Sequence, residues 1–115
     1  MSDEHLQEVD GAPVRPSGVS GFVYLFRSPC GFKIGCARDP KRRFLEIVTL
    51  VPFELTIEHT IPAPDMYAAE WALHGQFQSK RIRGEWFSLS EDDVAHIKSM
   101  ATHADIPFYK EDVPF

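Results

Sequence analysis

A chain of 115 residues is long enough for one ordinary domain and too short for two. With 43% apolar and 25% charged residues it lies in the globular range, which excludes wholesale disorder. No apolar run approaches the roughly 18 residues of a membrane-spanning helix, and the formal charge of −5 argues against a uniformly basic, histone-like DNA binder.

The acidic, polar N-terminus has no apolar signal core, and two cysteines, Cys30 and Cys36, do not make a disulfide framework. A reducing cytoplasmic setting is the expectation, with no membrane attachment. The charge is unevenly spread. Residues 1–20 hold one basic and four acidic side chains, residues 21–84 nine basic and six acidic, and residues 85–115 two basic and seven acidic. An anionic ligand should therefore meet the middle of the chain, and the acidic ends could contact a protein partner.

Residues 1–20 carry glycine, proline and serine with few large apolar groups, so they are expected to form a flexible acidic tail ahead of a domain over 21–103. Gly21 to Arg27 is rich in aromatic and β-branched residues, Ser28-Pro29-Cys30-Gly31 is turn chemistry, and Phe32 to Gly35 resumes as a strand, which predicts a hairpin. Lys33 should project from the face opposite Phe32 and Ile34. Asp39-Pro40 opens a helix with Phe44, Ile47 and Val48 on one face, Lys41, Arg42 and Glu46 away from it, and Arg43 at its edge.

Residues 53–61 alternate apolar and polar, predicting a half-buried strand with Phe53, Leu55, Ile57, His59 and Ile61 on one face. His59 reads as a hydrogen-bonded packing residue. Pro62 to Asp65 introduces a helix to about Gln78 in which Met66, Tyr67, Glu70, Leu73, His74 and Phe77 cluster around Glu70's direction. Lys80-Arg81-Ile82-Arg83-Gly84 reads as a basic loop that either clamps a DNA backbone or is simply solvated. Glu85-Trp86-Phe87 reads as a short strand or core anchor. Ser90 followed by three acids caps a last helix to about His103, with 104–115 as an extended tail.

The most informative feature is Glu70, a carboxylate in the middle of an apolar stripe. Its ionised form is costly there unless a cation meets it. Lys33, Arg38 and Arg43 are candidate partners, and an ion pair or a metal site would each satisfy it. His74, four residues on, rises from the same helix face. The two cysteines add no zinc spacing and read as ordinary thiols.

Phe22-Val23-Tyr24 followed by Lys33-Ile34-Gly35 resembles the paired tripeptides of the GIY-YIG nuclease superfamily. The run Cys36 to Arg43, the block Ala69 to Phe77 and Gly84-Glu85-Trp86-Phe87 resemble one branch of it, a phage-type DNA-binding domain also found in meiotically up-regulated fungal proteins. The resemblance spans residues 21 to about 98. It implies an α+β fold with a small three-stranded antiparallel sheet flanked by helices. It also implies an endonuclease that hydrolyses DNA phosphodiesters with one divalent ion, Mg2+ or Mn2+.

By the same resemblance Tyr24 matches the first catalytic tyrosine, Arg43 or Arg38 the phosphate-stabilising arginine, and Glu70 the metal-binding glutamate. Lys33 stands where many members carry a second tyrosine, and it could hold phosphate as a point charge or lower the pKa of Tyr24. Ile47 replaces a frequent histidine or tyrosine, and His74 is the candidate base in its stead. Arg42, Lys80, Arg81 and Arg83 are candidate DNA-backbone contacts. A catalytically decayed module of phage or mobile-element type, binding nucleic acid or a protein, is the alternative.

Overall fold

The structure, a computed structural model, describes residues 18–107. The segments 1–17 and 108–115, which include most of the N-terminal acidic end and the last residues of the C-terminal one, lie outside the described residues, and so does most of the surface on which a partner contact is expected. The elements run β1 (Gly21–Ser28), β2 (Gly31–Ala37), α1 (Pro40–Val48), β3 (Thr56–Ala63), α2 (Met66–Gln76), β4 (Arg81–Arg83), β5 (Trp86–Phe87) and α3 (Glu91–Lys98). Among the described residues no helix is long and apolar enough to cross a membrane.

β1 and β2 form the expected hairpin, antiparallel from Ser28↔Gly31 to Phe22↔Ala37. Gly31 takes φ +152°, a value that L side chains rarely adopt, to close its turn. β1 is central. Val23, Tyr24, Leu25 and Phe26 are all buried because both faces of the sheet are covered. Val23, Leu25, Phe32 and Ile34 meet Ala69, Ala72, Leu73 and Phe77 around α2 and Val94 and Ile97 of α3. On the opposite face Tyr24, Phe26 and Ala37 meet Phe44, Ile47 and Val48 of α1. Lys33 lies on this second face, as the period-2 alternation requires.

The expected three-stranded sheet is corrected to five strands in the order β3-β1-β2-β5-β4. Trp86 and Phe87 pair with Lys33 and Phe32. The stretch expected as a basic loop folds back on them as β4, pairing Arg81 with Phe87 and Arg83 with Trp86. Gly84, at φ +56°, turns that hairpin. Trp86 and Phe87 form the short strand expected of them, whereas the three residues of β4 are too few to show an alternation and become a strand through tertiary pairing.

A second difference concerns β3. It begins at Thr56 rather than 53, and its ladder with β1 slips between Leu25↔His59 and Phe26↔Ile57, leaving Glu58 as the extra residue of a bulge. The slip breaks the alternation. Leu55 joins the core on the α1 side, Ile61 the core on the α2 side, and Ile57 is exposed. His59 does act as a packing residue, its Nε2–H donating to the Met100 carbonyl at 2.7 Å.

Asp39 caps α1 by accepting from the Arg42 amide, and Asp65 caps α2 by accepting from Ala68. Ser90 and Asp93 form a reciprocal capping box on α3. α3 ends at Lys98, shorter than the expected helix, and Ile106 beyond it is buried in the core. Residues ahead of β1 are also tied down, with the Met66 amide donating to the Val19 carbonyl at 2.9 Å.

The bulge residue Glu58 anchors an ion-pair network between β1, β3 and α3. Arg27 Nε donates to Glu58 Oε2 at 2.8 Å, and Lys98 Nζ donates to Oε1 at 3.1 Å. The other two Arg27 nitrogens fork onto Glu91 at 2.8 and 2.9 Å. Hydrogen bonds from Arg27, set against a smaller burial penalty, hold Glu58 below the usual carboxylate range. A carboxyl with a depressed folded pKa stabilises the fold above its unfolded pKa, and that stability disappears as acid protonates it. Glu58→Gln should therefore cost about 1 kcal/mol near neutral pH. Chemical-denaturation curves should show the gap between variant and native protein closing as pH falls through the carboxylate range.

Candidate active site

The site forms where β2 outruns β5. The β2–β5 ladder stops at Lys33↔Trp86, leaving the edge of β2 open from Gly35 to Ala37. Side chains from both faces of the sheet meet around this short edge. Tyr24 stands opposite Gly35 in the β1–β2 register. A Cβ at residue 35 would lie 2.3 Å from the Tyr24 hydroxyl and 2.9 Å from Glu85 Oε1. Only glycine lets the phenol and the carboxylate converge here.

Glu70 reaches the same point from α2. Its Oε1 accepts from the Cys36 thiol at 3.1 Å, and its Oε2 lies 3.5 Å from His74 Nε2. The charge of Glu85 also acts on its carboxyl. Glu85 in turn accepts from Lys33 Nζ at 2.5 Å. Lys33 favours the ionised form of Glu85. Burial first, and then the charge of Glu85, push Glu70 well above the usual carboxylate range. Burial likewise pushes the Cys36 thiol up.

His74 Nε2 lies 2.8 Å from the Ile34 carbonyl, an acceptor, so this nitrogen carries the proton and caps the open edge of β2. Burial lowers the pKa of the ring and keeps it neutral. A base role for His74 would have to use Nδ1. The Tyr24 hydroxyl is buried without a hydrogen-bond partner of normal geometry. Burial, followed by Glu85, raises its pKa, and the Arg43 guanidinium opposes them.

An open pocket of about 450 Å³ lies over this cluster. Its walls include Arg38, Arg42 and Arg43 around α1, Cys36 of β2, Tyr67 and Glu70 of α2, and Glu85. Arg42 and Arg43 both approach Glu46, at 3.5 and 3.3 Å, so one carboxylate stands against two guanidinium groups. Tyr24, Lys33 and His74 do not line the pocket but contact the cluster beneath it. Glu70 is not sealed against Arg43. Its side chain is 15% exposed and faces the pocket.

The later basic residues lie apart from the pocket walls. Lys80 is paired with Asp93 of α3. Arg81 lies 5.1 Å over the Phe87 ring and donates to the Gly84 carbonyl, and Arg83 is exposed on the edge strand. Sequence reading assigned no role to Glu85, Cys36 or Tyr67. Glu85 was legible only as an acid between Gly84 and an apolar pair, and nothing local marks it as a neighbour of Glu70.

The cluster makes stability depend on pH in the direction opposite to Glu58. A carboxyl with a raised folded pKa contributes its full stability below the unfolded pKa, and the contribution is lost as pH rises toward the folded value. Glu70→Gln should match the native protein in mild acid and melt at a higher temperature in alkaline, chelator-containing buffer. Gly35→Ala should lose about 1–3 kcal/mol by forcing Tyr24 and Glu85 apart, readable in the same melts.

A family model, the T5orf172 domain, matches residues 21–101. Neither the curated proteins nor the solved structures yield a match. The matched span runs from the first residue of β1 to just past α3 and contains every residue of the cluster. The chain belongs to the T5orf172 domain family.

Proposed function

We propose that this chain binds DNA and hydrolyses its phosphodiester bonds in the α1–α2 pocket, as a GIY-YIG-like endonuclease. The observation that carries the reading is that Arg43 and Glu70 line one open pocket, with the Tyr24 hydroxyl buried beneath it beside Gly35. The T5orf172 match, a phage-type module, agrees with it.

The residues present suit a hard divalent ion. Two facing carboxyls and an orphaned phenol are oxygen donors, and a cation there would relieve the crowding of Glu70 and Glu85. Among the described residues no three His, Cys, Asp or Glu side chains are arranged to hold a metal ion together, so the protein would offer one or two carboxylates. That is how Mg2+ is usually held while it keeps several waters. Glu70 is the first candidate ligand and Glu85 the second. When bound, Mg2+ or Mn2+ would supply charge neutralisation at the phosphate.

In the hydrolysis a water oxygen bonds to phosphorus, the bond to the leaving sugar oxygen breaks, and a proton passes from the water side to the leaving side. Arg43, with Arg38 at the pocket wall, holds the phosphate oxygens through planar guanidinium forks. The Tyr24 hydroxyl, protonated in the free protein, orients the water. Arg43 favours its ionised form, which could then accept the proton. Lys33 and His74 are positioning residues. The first fixes Glu85, and the second fixes Glu70 and the edge of β2.

A second reading, nucleic-acid binding without turnover, draws on one observation: Tyr24 is only 1% exposed and is held protonated by burial. The two separate in one assay. Supercoiled plasmid and single-stranded circular DNA should be cleaved with Mg2+ or Mn2+, the activity vanishing with Glu70→Ala and falling about 100-fold or more with Tyr24→Phe. Intact DNA across several divalent metals, together with salt-dependent binding weakened by Arg43→Ala, would establish the second reading instead.

A further inference from the structure

The outer face of α2 is not used by the cluster. Met66, Ala69, Ala72 and Leu73 are buried against the sheet, and Glu70 and His74 turn toward the site. Tyr67 and Trp71 follow one another at helical spacing on the remaining side, 37% and 42% exposed. A single exposed aromatic is ordinary. Two aromatics one turn apart, the first forming part of the pocket wall, are a surface continuous with the site.

The two sides of the pocket differ in chemistry. The α1 side presents Arg38, Arg42 and Arg43, suited to phosphate oxygens. The α2 side presents the Tyr67 ring beside Met66 and Glu70, with the exposed Trp71 ring one turn beyond the pocket, and such rings gain most from another flat apolar face. In continuous duplex the base faces are covered by their neighbours in the stack. A ring beside the backbone can therefore stack only on a base that is unpaired or splayed out. Past Trp71 the same face carries Gly75, which adds no side chain, and the chain then passes through a 3-10 turn at Gln78–Lys80 into the exposed Arg81 and Arg83 of β4.

We infer that Tyr67 and Trp71 form a stacking platform for unpaired bases, so that the DNA entering this pocket is single-stranded: a flap, gap, overhang or loop. The inference rests on the nuclease reading and narrows its substrate. A second copy of the chain suits the face less well. A stable protein interface buries on the order of 1,600 Å². Two rings bordered by Glu70 and Gln78 supply a small part of that.

The test is equilibrium binding of the full chain, in chelator so that no cleavage occurs. The probes are a labelled oligothymidylate, the same strand carrying abasic sugars, and a blunt duplex of equal length. The oligothymidylate should bind more tightly than the duplex and quench tryptophan emission. Trp71→Ala should weaken it about tenfold, Trp71→Phe far less, and duplex binding should stay within about twofold. The abasic strand should bind native protein and Trp71→Ala alike, which a merely structural effect would not produce. Thermal melts check that both variants fold.

Equal binding of the oligothymidylate by native protein and Trp71→Ala would overturn the platform. So would indifference to abasic sites, or a dimer that Trp71→Ala dissolves. Duplex nicking at full rate with Trp71→Ala would remove the platform and leave the nuclease reading standing. Base-dependent binding without cleavage under any metal would retain the platform and remove the nuclease.

Discussion

The missing Cβ at residue 35 is the constraint on which the site depends. Tyr24 and Glu85 come from different strands and different parts of the chain, and their oxygens meet only because Gly35 leaves the space between them open. The second condition is that β5 stops short. A longer β5 would cover the edge of β2 that His74 caps and Glu70 rounds. A glycine on one strand and an early stop on its neighbour thus bring a phenol, two carboxyls, a thiol and an imidazole into contact.

Electrostatics then divides the molecule into two regimes. On the surface, Arg27, Glu58, Glu91 and Lys98 neutralise one another, and their ionised forms hold β1, β3 and α3 together. At the site the arithmetic does not close. Lys33 meets Glu85, and Glu70 is left to be buried as a neutral acid. A carboxyl kept neutral by its surroundings is destabilising once ionised, and it marks a place where a cation would lower the free energy. The arginines of α1 have only Glu46 between two of them, so positive charge remains on the wall where an anion would approach. The overall charge of −5 is therefore a poor guide to this surface.

The same asymmetry bears on DNA form. In the proposed function the guanidinium groups would address the backbone, which every nucleic acid presents, and the rings of Tyr67 and Trp71 the base faces, which unpaired strands expose.

Much of this was written locally. The hairpin, the placing of Lys33 on the face opposite Phe32 and Ile34, the caps at Asp39 and Ser90, the apolar stripe of α1 and the anomalous place of Glu70 all follow from spacing over a few residues, because strand and helix periods fix which side chains share a face. What depended on distant pairing was not legible. Trp86-Phe87 reads as a short strand but not as a partner of β2, β4 reads as a loop, and the Glu58 bulge silently shifts the phase of β3. Glu85 becomes a neighbour of Glu70 only when β5 docks on β2. The residue types of the site were in the sequence from the start. Their convergence was decided by where two strands end and where a side chain is absent, which are properties of the packed sheet and of no segment alone.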